Sequence, residues 1–242
     1  MAYVKKPFKK SYAKKPVYKK KTVYKKKRTS LATMIKNISL KNSETKTTHQ
    51  IGENLQLYHN TPNIRFSLLR TSQGITDADT GLNSYSNRIG DEIIARGISI
   101  KLWIANKLDR PNVMYRLCVV KYESSITPTA SLIFKGANPN KMMDNLNKEK
   151  ITVIYQKIIN LQTGLAAAGD AAGSPFVGKE CHTYRKIWIP LKDRKIKYDD
   201  AGQVPKFTDY LFCITAYDSY GTLTTDNIAS FAWEYNFYFK DP

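Results

Sequence analysis

The first 28 residues contain neither aspartate nor glutamate, and cysteine and histidine are scarce throughout the 242-residue chain. The three cysteines form no C-x-x-C pair, which argues against a disulfide framework and against a thiolate zinc site. No run of 18 apolar residues occurs, so no membrane-spanning helix is predicted. The basic N-terminus is not followed by the apolar segment and cleavage site of a secretory signal, and we expect the chain to be made and kept inside the cell.

Residue patterns typical of enzymes are also missing. The histidines His49, His59 and His182 show no metal-ligand spacing and are predicted to lie exposed on strands or loops. Cys118 and Cys213 lie within apolar runs, where a thiol acts as a small hydrophobic side chain. No glycine-rich phosphate loop is present. We therefore expect neither a catalytic site nor a cofactor.

Two acidic pairs are the nearest approach to a metal site. Asp77 and Asp79, in GITDADTG, offer carboxylate oxygens of the kind that calcium prefers, but the further carboxylates of an EF-hand loop are missing. Solvated loop acids are the favoured interpretation, and a calcium ion is the alternative. The same two interpretations apply with less support to Asp199 and Asp200.

Positive charge is concentrated at the N-terminus. The chain carries 39 basic and 20 acidic residues, a formal net charge of +19. Residues 1–28 hold twelve lysines and one arginine of this total, so the remaining 214 residues carry only +6. Ordering this segment would cost about 1 to 2 kcal/mol per residue, with almost no aliphatic side chains to bury. It is predicted to be a disordered arm joined to a folded domain at residues 29–242.

The arm alternates lysines with aromatic residues, as in YVKKPFKK and YAKKPVYKK. Lysine ammonium groups displace counterions from phosphates without reading sequence, and aromatic rings offer faces on which unpaired bases stack. This pattern indicates single-stranded nucleic acid as the partner. The predicted binding residues are Lys5, Lys6, Lys9, Lys10, Lys14, Lys15, Lys19, Lys20, Lys21, Lys25, Lys26, Lys27, Arg28, Tyr12, Tyr18 and Tyr24.

Other roles for the arm remain open. The run KKKTVYKKKR would also serve as a nuclear-localisation signal, read by an import receptor. Attachment to an anionic membrane and simple solubilisation are further alternatives. Attachment to a membrane is disfavoured because neither a lipidation motif nor an amphipathic helix accompanies the lysines.

Beyond Arg28, several segments alternate apolar and polar residues with the period of two that a half-buried strand requires. The last strand shows this most clearly, with five aromatic side chains predicted on one face: Phe231, Trp233, Tyr235, Phe237 and Phe239. Eight strands are predicted, in SETKTTHQI, DEIIARGISIKLWIANK, NVMYRLCVVKYE, KITVIYQKII, ECHTYRKIWIPL, RKIKYD, TDYLFCITAYD and NIASFAWEYNFYF.

The second of these segments is predicted to place Ile94 on the same face as four later apolar residues, with Arg96 as the only polar member: Ile98, Ile100, Leu102 and Ile104. Helix is predicted only in NKMMDNLNKEK, where apolar side chains recur at helical spacing. Trp103 and Trp188 fall beside or opposite the core faces. Burial against another subunit and packing on the second face of the same sheet are equal alternatives for these two side chains.

Eight strands with no alternating helices disfavour a parallel α/β fold. They predict an all-β, eight-stranded antiparallel jelly-roll sandwich. Long loops are expected at residues 61–88, 124–138 and 161–178, emerging from the ends of the sandwich.

A lysine-rich arm followed by such a sandwich resembles the capsid proteins of small circular, Rep-encoding single-stranded DNA viruses. The shell domain of these proteins is similar to the jelly roll of satellite tobacco necrosis virus. The resemblance covers most of the chain and is carried by NRIGDEIIARGISIKLWI, NKLDRPNVMYRLCVVKY, YRKIWIPLKDRKIKYDD and the final FYFKDP. The R-x-G-D run at Arg88 to Asp91 and the N-K-x-D-R-P-N turn are its most specific parts.

The resemblance implies a T=1 icosahedral shell of sixty copies, with the arms turned inward onto a single-stranded DNA genome. Sixty arms would bring roughly 780 positive charges, a partial neutralisation of a strand of a thousand or more phosphates. It further implies a virion protein that enters the host nucleus during assembly. A cellular nucleic-acid-binding module with a basic tail is the alternative function, and an enzyme with a basic targeting tail is the least favoured.

Overall fold

The structure is a computed structural model that describes residues 30–74, 86–107, 110, 112–162, 181–219 and 222–241. The described residues fall into two units, with residues 30–38 in the first and the second spanning Ser39–Pro242. Their elements, in chain order, are α1 Leu31–Asn42, β1 Lys46–Tyr58, β2 Pro62–Arg65, β3 Glu92–Asn106, β4 Asn112–Glu123, α2 Ala130–Ile133, β5 Thr152–Gln162, β6 His182–Lys197, β7 Thr208–Asp218 and β8 Asn227–Lys240.

The eight strands form two antiparallel sheets of four. The first sheet has the order β1-β8-β3-β6 and the second sheet the order β2-β7-β4-β5. Strands that are neighbours in a sheet are therefore mostly distant in sequence, as the interleaved connections of a jelly roll require. The predicted all-β jelly-roll sandwich is confirmed.

Apolar side chains from both sheets meet in one core. In β8 the five predicted aromatic residues are all buried in it, while the residues between them are only partly buried. The alternation predicted for this strand is confirmed. Its cause is the pleat of the backbone, which turns successive side chains to opposite faces.

An irregularity in β3 overturns the face predicted for its first half. The pairing register shifts between Ala95 and Gly97, so Arg96 is an extra residue and lies exposed. Before the shift, Ile93 and Ala95 enter the core in place of Ile94. A bulge of this kind reverses the inward and outward positions on either side of it. The later isoleucines and Leu102 face the core as predicted.

Two segments predicted as separate strands form a single strand in the structure. ECHTYRKIWIPL and RKIKYD both belong to β6, which pairs along its length with β3. Lys192 and Asp193 take positive φ values of 56° and 53° between the two segments, opposite the bulge at Arg96. The missing eighth strand is β2, whose four residues pair with β7 inside a segment predicted to be loop.

The second sheet is also buried on its outer face, which we call the covered face. Here β4 and β7 contribute Cys118, Val120, Tyr122, Leu211 and Cys213. The segment from α2 to the start of β5 packs over them through a further set of apolar residues, Leu132, Ile133, Phe134, Leu146 and Ile151. Strands buried on both faces lose the alternating pattern, and β7 has eight consecutive buried residues.

The helix predicted at NKMMDNLNKEK is wrong. Its backbone makes two separate turns: the amide groups of Met143 and Asp144 donate to the carbonyl oxygen of Asn140, and those of Lys150 and Ile151 donate to that of Asn147. Between the two turns the chain runs back alongside the end of α2, where Leu146 pairs with Phe134 in an antiparallel bridge. Helix forms instead at α1, where none was predicted.

The covering segment is held by two buried ionic side chains. Arg116 of β4 donates through Nη1 to the carbonyl oxygens of Lys141 at 2.6 Å, Asp144 at 2.7 Å and Met142 at 3.3 Å. The Asp144 carboxylate accepts from the amide of Gly136 at 3.0 Å and from Lys141 Nζ at 3.1 Å. The bonds from Arg116 satisfy three carbonyl oxygens that would otherwise accept hydrogen bonds within a helix.

Candidate functional surfaces

The residues predicted to bind nucleic acid, Lys5 to Arg28 with Tyr12, Tyr18 and Tyr24, lie outside the described residues, as do Asp77 and Asp79. Their roles stay predictions. Asp199 lies in the described part and is exposed, with Lys206 Nζ at 2.9 Å from its carboxylate. Among the described residues, no group of three or more histidine, cysteine or acidic side chains is arranged to hold a metal ion.

The outer face of the first sheet, which we call the open face, carries large aromatic side chains in solvent. Trp103 of β3 and Trp188 of β6 are 47% and 52% exposed, and Tyr184 of β6 is 51% exposed. The two tryptophans therefore do not find full burial on the second face of their own sheet. Other outward residues of this face are Ser99, Lys101, Lys186, Ala232, Glu234, Asn236 and Tyr238.

Two clefts border these aromatic side chains. One, of about 200 Å³, lies between Trp103, Tyr184 and Ile51. The other, of about 400 Å³, lies beside Trp188 and Tyr238.

Further large apolar side chains are exposed at strand ends and in connecting segments. Phe66 is 54% exposed, Phe207 61%, Met143 71% and Leu223 69%. Exposed apolar side chains that lie singly are common on monomers, whereas contiguous apolar patches are typical of surfaces that bind other proteins. These residues are candidates for contacts between subunits.

The R-x-G-D run is part of the folded framework. Arg88 is fully buried, and its guanidinium lies 4.6 Å from the centre of the Tyr198 ring. It donates to the carbonyl oxygens of Gly90 and Gly202, the latter at 2.6 Å, and lies 3.1 Å from the Asp91 carboxylate. Arg88 therefore fastens the entry of β3 to the turn after β6.

His59 departs from the exposed position predicted for it. It is 6% exposed, and its Nδ1 accepts a hydrogen bond of 3.2 Å from the amide of Asp218. Burial lowers the pKa of His59, although the carboxylates of Asp218 and Asp226 oppose the shift. Arg110 lies 3.6 Å from the Asp218 carboxylate and 3.5 Å from that of Asp226. The cluster joins the ends of β1 and β7 to the turn before β8, a structural role.

Cys118 and Cys213 are both buried, as predicted, and they lie directly opposite each other on β4 and β7. A hydrogen bond with Cys118, together with burial, raises the pKa of Cys213 well above its ordinary value. A thiol that stays protonated is a poor nucleophile, so the pair acts as part of the covered face. The third cysteine, Cys181, is partly buried against the core.

In the part of the chain that the structure describes, neither helix is long and apolar enough to cross a membrane. No family model matches the sequence, and the search of curated proteins finds no match. Among solved structures, a structure of turnip yellow mosaic virus matches 83% of this chain and 82% of its own at 11% identity, with a TM-score of 0.34.

A structure of a semi-empty virus-like particle of the giant freshwater prawn Macrobrachium rosenbergii nodavirus matches 97% of this chain and 96% of its own at 10% identity, with a TM-score of 0.26. Likeness at this level does not bear on function. The assignment of the fold rests on the strand order of this chain's own sheets.

Proposed function

We propose that this chain is a viral capsid protein whose sandwich builds a small icosahedral shell and whose residues 1–28 package a single-stranded DNA genome. The observation that carries the proposal is the joining of thirteen basic residues, with no acidic residue, to a jelly-roll sandwich. The sandwich supplies a rigid wall, and the basic segment supplies sequence-independent attraction for phosphate. Sixty subunits and a DNA genome follow from the family resemblance.

The surface of the sandwich supports self-assembly. Large apolar side chains such as Phe207 and Leu223 are more than 60% exposed at strand ends. An isolated subunit gains nothing from leaving them in water, whereas burial at a subunit contact stabilises by about 25 cal/mol per Å² of apolar surface. Repeated contacts of this kind around a closed symmetry remove such surface from every copy.

Electron microscopy and light scattering on three forms of the protein test the proposal. The forms are the full chain, a chain beginning at Thr29, and a full chain in which the twelve lysines of residues 1–28 are replaced by glutamine. We expect uniform particles of about sixty subunits from the full chain, by the geometry that the resemblance implies, with nucleic acid inside. Both altered forms are expected to assemble and to lose most of their nucleic acid, measured as a lower absorbance at 260 nm relative to 280 nm.

A full chain that stays monomeric at every salt concentration would contradict shell formation and favour a cellular nucleic-acid-binding protein. Particles whose nucleic-acid content is unchanged in the glutamine variant would contradict the role of the arm. The nuclear import that we also propose is tested by fusing residues 1–28 to a cytosolic fluorescent protein. A fusion that stays in the cytosol would remove nuclear entry from the proposal.

A further inference from the structure

The open face holds its aromatic side chains in fixed positions. Gly97 of β3 lies under the Trp188 ring, and a Cβ at this glycine would lie 2.4 Å from the ring. The ring therefore packs directly on the backbone of β3, with the edge of Tyr238 at 5.6 Å between centroids. Since Trp188 is still 52% exposed, one side of it is supported and the other is free. A ring held in this way loses little conformational entropy when a flat ligand stacks on it.

A second aromatic group lies further along the same face. Trp103 is directly opposite Tyr184 in the pairing of β3 with β6. Trp103 also stacks on His182, with 4.7 Å between ring centroids and 13° between planes. The open face thus carries two aromatic positions, separated along β6 by the three residues between Tyr184 and Trp188.

Lysine lies between the two aromatic positions. Lys186 is directly opposite Lys101, a pairing of like charges that destabilises adjacent strands. The Glu234 carboxylate lies 2.9 Å from Lys101 Nζ and neutralises this member of the pair. Among the described residues Lys186 has no acidic partner. An uncompensated cation beside a second lysine favours an anionic ligand.

The acidic side chains near the open face do not reverse its preference for an anionic ligand. Glu234 is engaged with Lys101, and Asp193 lies 3.7 Å from Arg96. Glu53 lines the cleft beside Trp103. On β6, Lys186 lies between the two aromatic residues of the open face, whereas Lys195 and Lys197 are paired with the Glu92 carboxylate.

The aromatic rings and lysines of the open face favour a nucleic acid over a second copy of this chain as its partner. A symmetric contact of the open face with itself would bury Lys186 of both copies, and an ammonium group buried without an acidic partner is costly. A single-stranded nucleic acid supplies flat bases for the rings and a phosphate for the lysine. This combination of aromatic faces and basic groups is the usual basis of single-strand binding.

We infer that the open face is a second nucleic-acid contact, in which unpaired bases stack on Trp188 and on the Trp103–Tyr184 pair and Lys186 binds the intervening phosphate. The choice of a single strand rests on the proposed function. The site lies on the folded body and is separate from residues 1–28. It would place the strand against the inner wall of the particle as well as among the arms.

Tryptophan emission tests the inference, because all three tryptophans lie in the first sheet and residues 1–28 contain none. The full chain is mixed with a single-stranded oligothymidine at high salt, dialysed to low salt, and compared with protein dialysed alone. We expect quenching by the oligonucleotide. The Trp103→Leu, Trp188→Leu double variant should lose this quenching, and fluorescence anisotropy should still detect the oligonucleotide bound through residues 1–28.

The basic contact is tested by a matched pair of variants. Lys186→Gln should lower the slope of log affinity against log salt by about 1, as expected for one lost phosphate contact. Lys157→Gln removes the same charge from an exposed position on the edge strand of the second sheet and should leave the slope unchanged.

Three results would overturn the inference. The first is unchanged emission while anisotropy shows bound oligonucleotide, which would leave the arm as the contact and the proposed function intact. The second is a change in emission on assembly without oligonucleotide, which would assign the open face to contact between copies. The third is no oligonucleotide binding at all, which would also remove packaging from the proposed function.

Discussion

The two sheets of the sandwich both contribute to the core and differ on their outer faces. The covered face of the second sheet is closed by the chain's own segment from α2 to β5, and even its charged residues Arg116 and Asp209 are buried. The open face of the first sheet leaves Trp103 and Trp188 half in solvent. The second sheet is thus covered on both faces by its own chain, and the first sheet leaves aromatic and basic groups exposed.

Charged side chains are buried in the second sheet at Arg116 and Asp209, and also at Arg88 and Lys240 beside and within the first sheet. Arg116 and Asp209 are tolerated because backbone groups bind them: three carbonyl oxygens accept from the arginine, and the amides of Leu69 and Tyr210 donate to the aspartate. Lys101 and Lys186 keep contact with water and need no such network. Substitutions on the two faces should therefore differ in their effect on folding.

The largest effect is expected from Arg116→Ala. Three carbonyl oxygens would lose their donor under the covering segment, and the free energy of unfolding should fall by about 3 kcal/mol or more. Lys186→Ala on the open face is the matched control, and its effect should stay within about 0.5 kcal/mol. Urea denaturation followed by tryptophan fluorescence measures both. Equal losses in the two variants would show that the covered face is no more sensitive than the open face.

A pH-dependent effect is expected at Asp209, under the cover of the second sheet. Burial raises the pKa of Asp209 from 3.8 to about 6, against the hydrogen bonds from the Tyr210 and Leu69 amides. The raised pKa means that the folded state holds the proton more tightly than the unfolded state. The contribution to stability is then complete below pH 3.8 and is lost as the pH rises through about 6.

Between pH 4.5 and 7.5 this loss amounts to about 2 kcal/mol. Asp209→Asn cannot titrate at this position, so the difference in unfolding free energy between wild type and variant should change by that amount across the interval. Comparing the two proteins removes the contributions of other groups. If the unfolding free energies of wild type and Asp209→Asn differ by the same amount at both pH values, Asp209 does not titrate in this interval.

The smallest effect is expected from Gly97→Ala on the open face. The new Cβ would meet the Trp188 ring at 2.4 Å and the carbonyl oxygen of Ile189 at 2.9 Å. Since the ring is half exposed and can move outward, the cost should be about 1 kcal/mol, at the low end for overpacking. Gly90→Ala is the control, because nothing lies within 4 Å of its new Cβ.

The double variant Gly97→Ala, Trp188→Leu sharpens this comparison. Most of the stability lost in the single variant should return when the ring is removed, as a double-mutant cycle in urea would show. A cost at Gly97 that persists without the ring would assign the effect to the backbone of β6. The open face would then lack the fixed ring that the second nucleic-acid contact requires.

The sequence identified the strands best where one face only is buried. In β8 the alternation from Phe231 to Phe239 is local, and the structure confirms it. Prediction of secondary structure failed where contacts between distant residues, rather than the local residue pattern, determine the backbone conformation. The spacing of Met142, Met143 and Leu146 suggests a helix, but the donor that organises this segment is Arg116, more than twenty residues away in the chain.

The two candidate nucleic-acid contacts also differ in whether the sequence alone reveals them. The basic residues of 1–28 are recognised from composition alone, because charge density and missing acids need no fold to be seen. The open face could not be recognised from the sequence. Trp103 and Lys186 are separated by more than eighty residues and become neighbours only through the pairing of β3 with β6.

The sequence by itself determined that this protein is a sheet sandwich with a basic N-terminal segment, since strand alternation and net charge are properties of neighbouring residues. Tertiary structure alone decided that β6 is one strand, through left-handed backbone at Lys192 and Asp193 opposite a bulge in β3. It also decided which sheet is covered and which is open. Such outcomes depend on contacts between segments that are distant in the chain, and the local residue pattern does not determine the energies of those contacts.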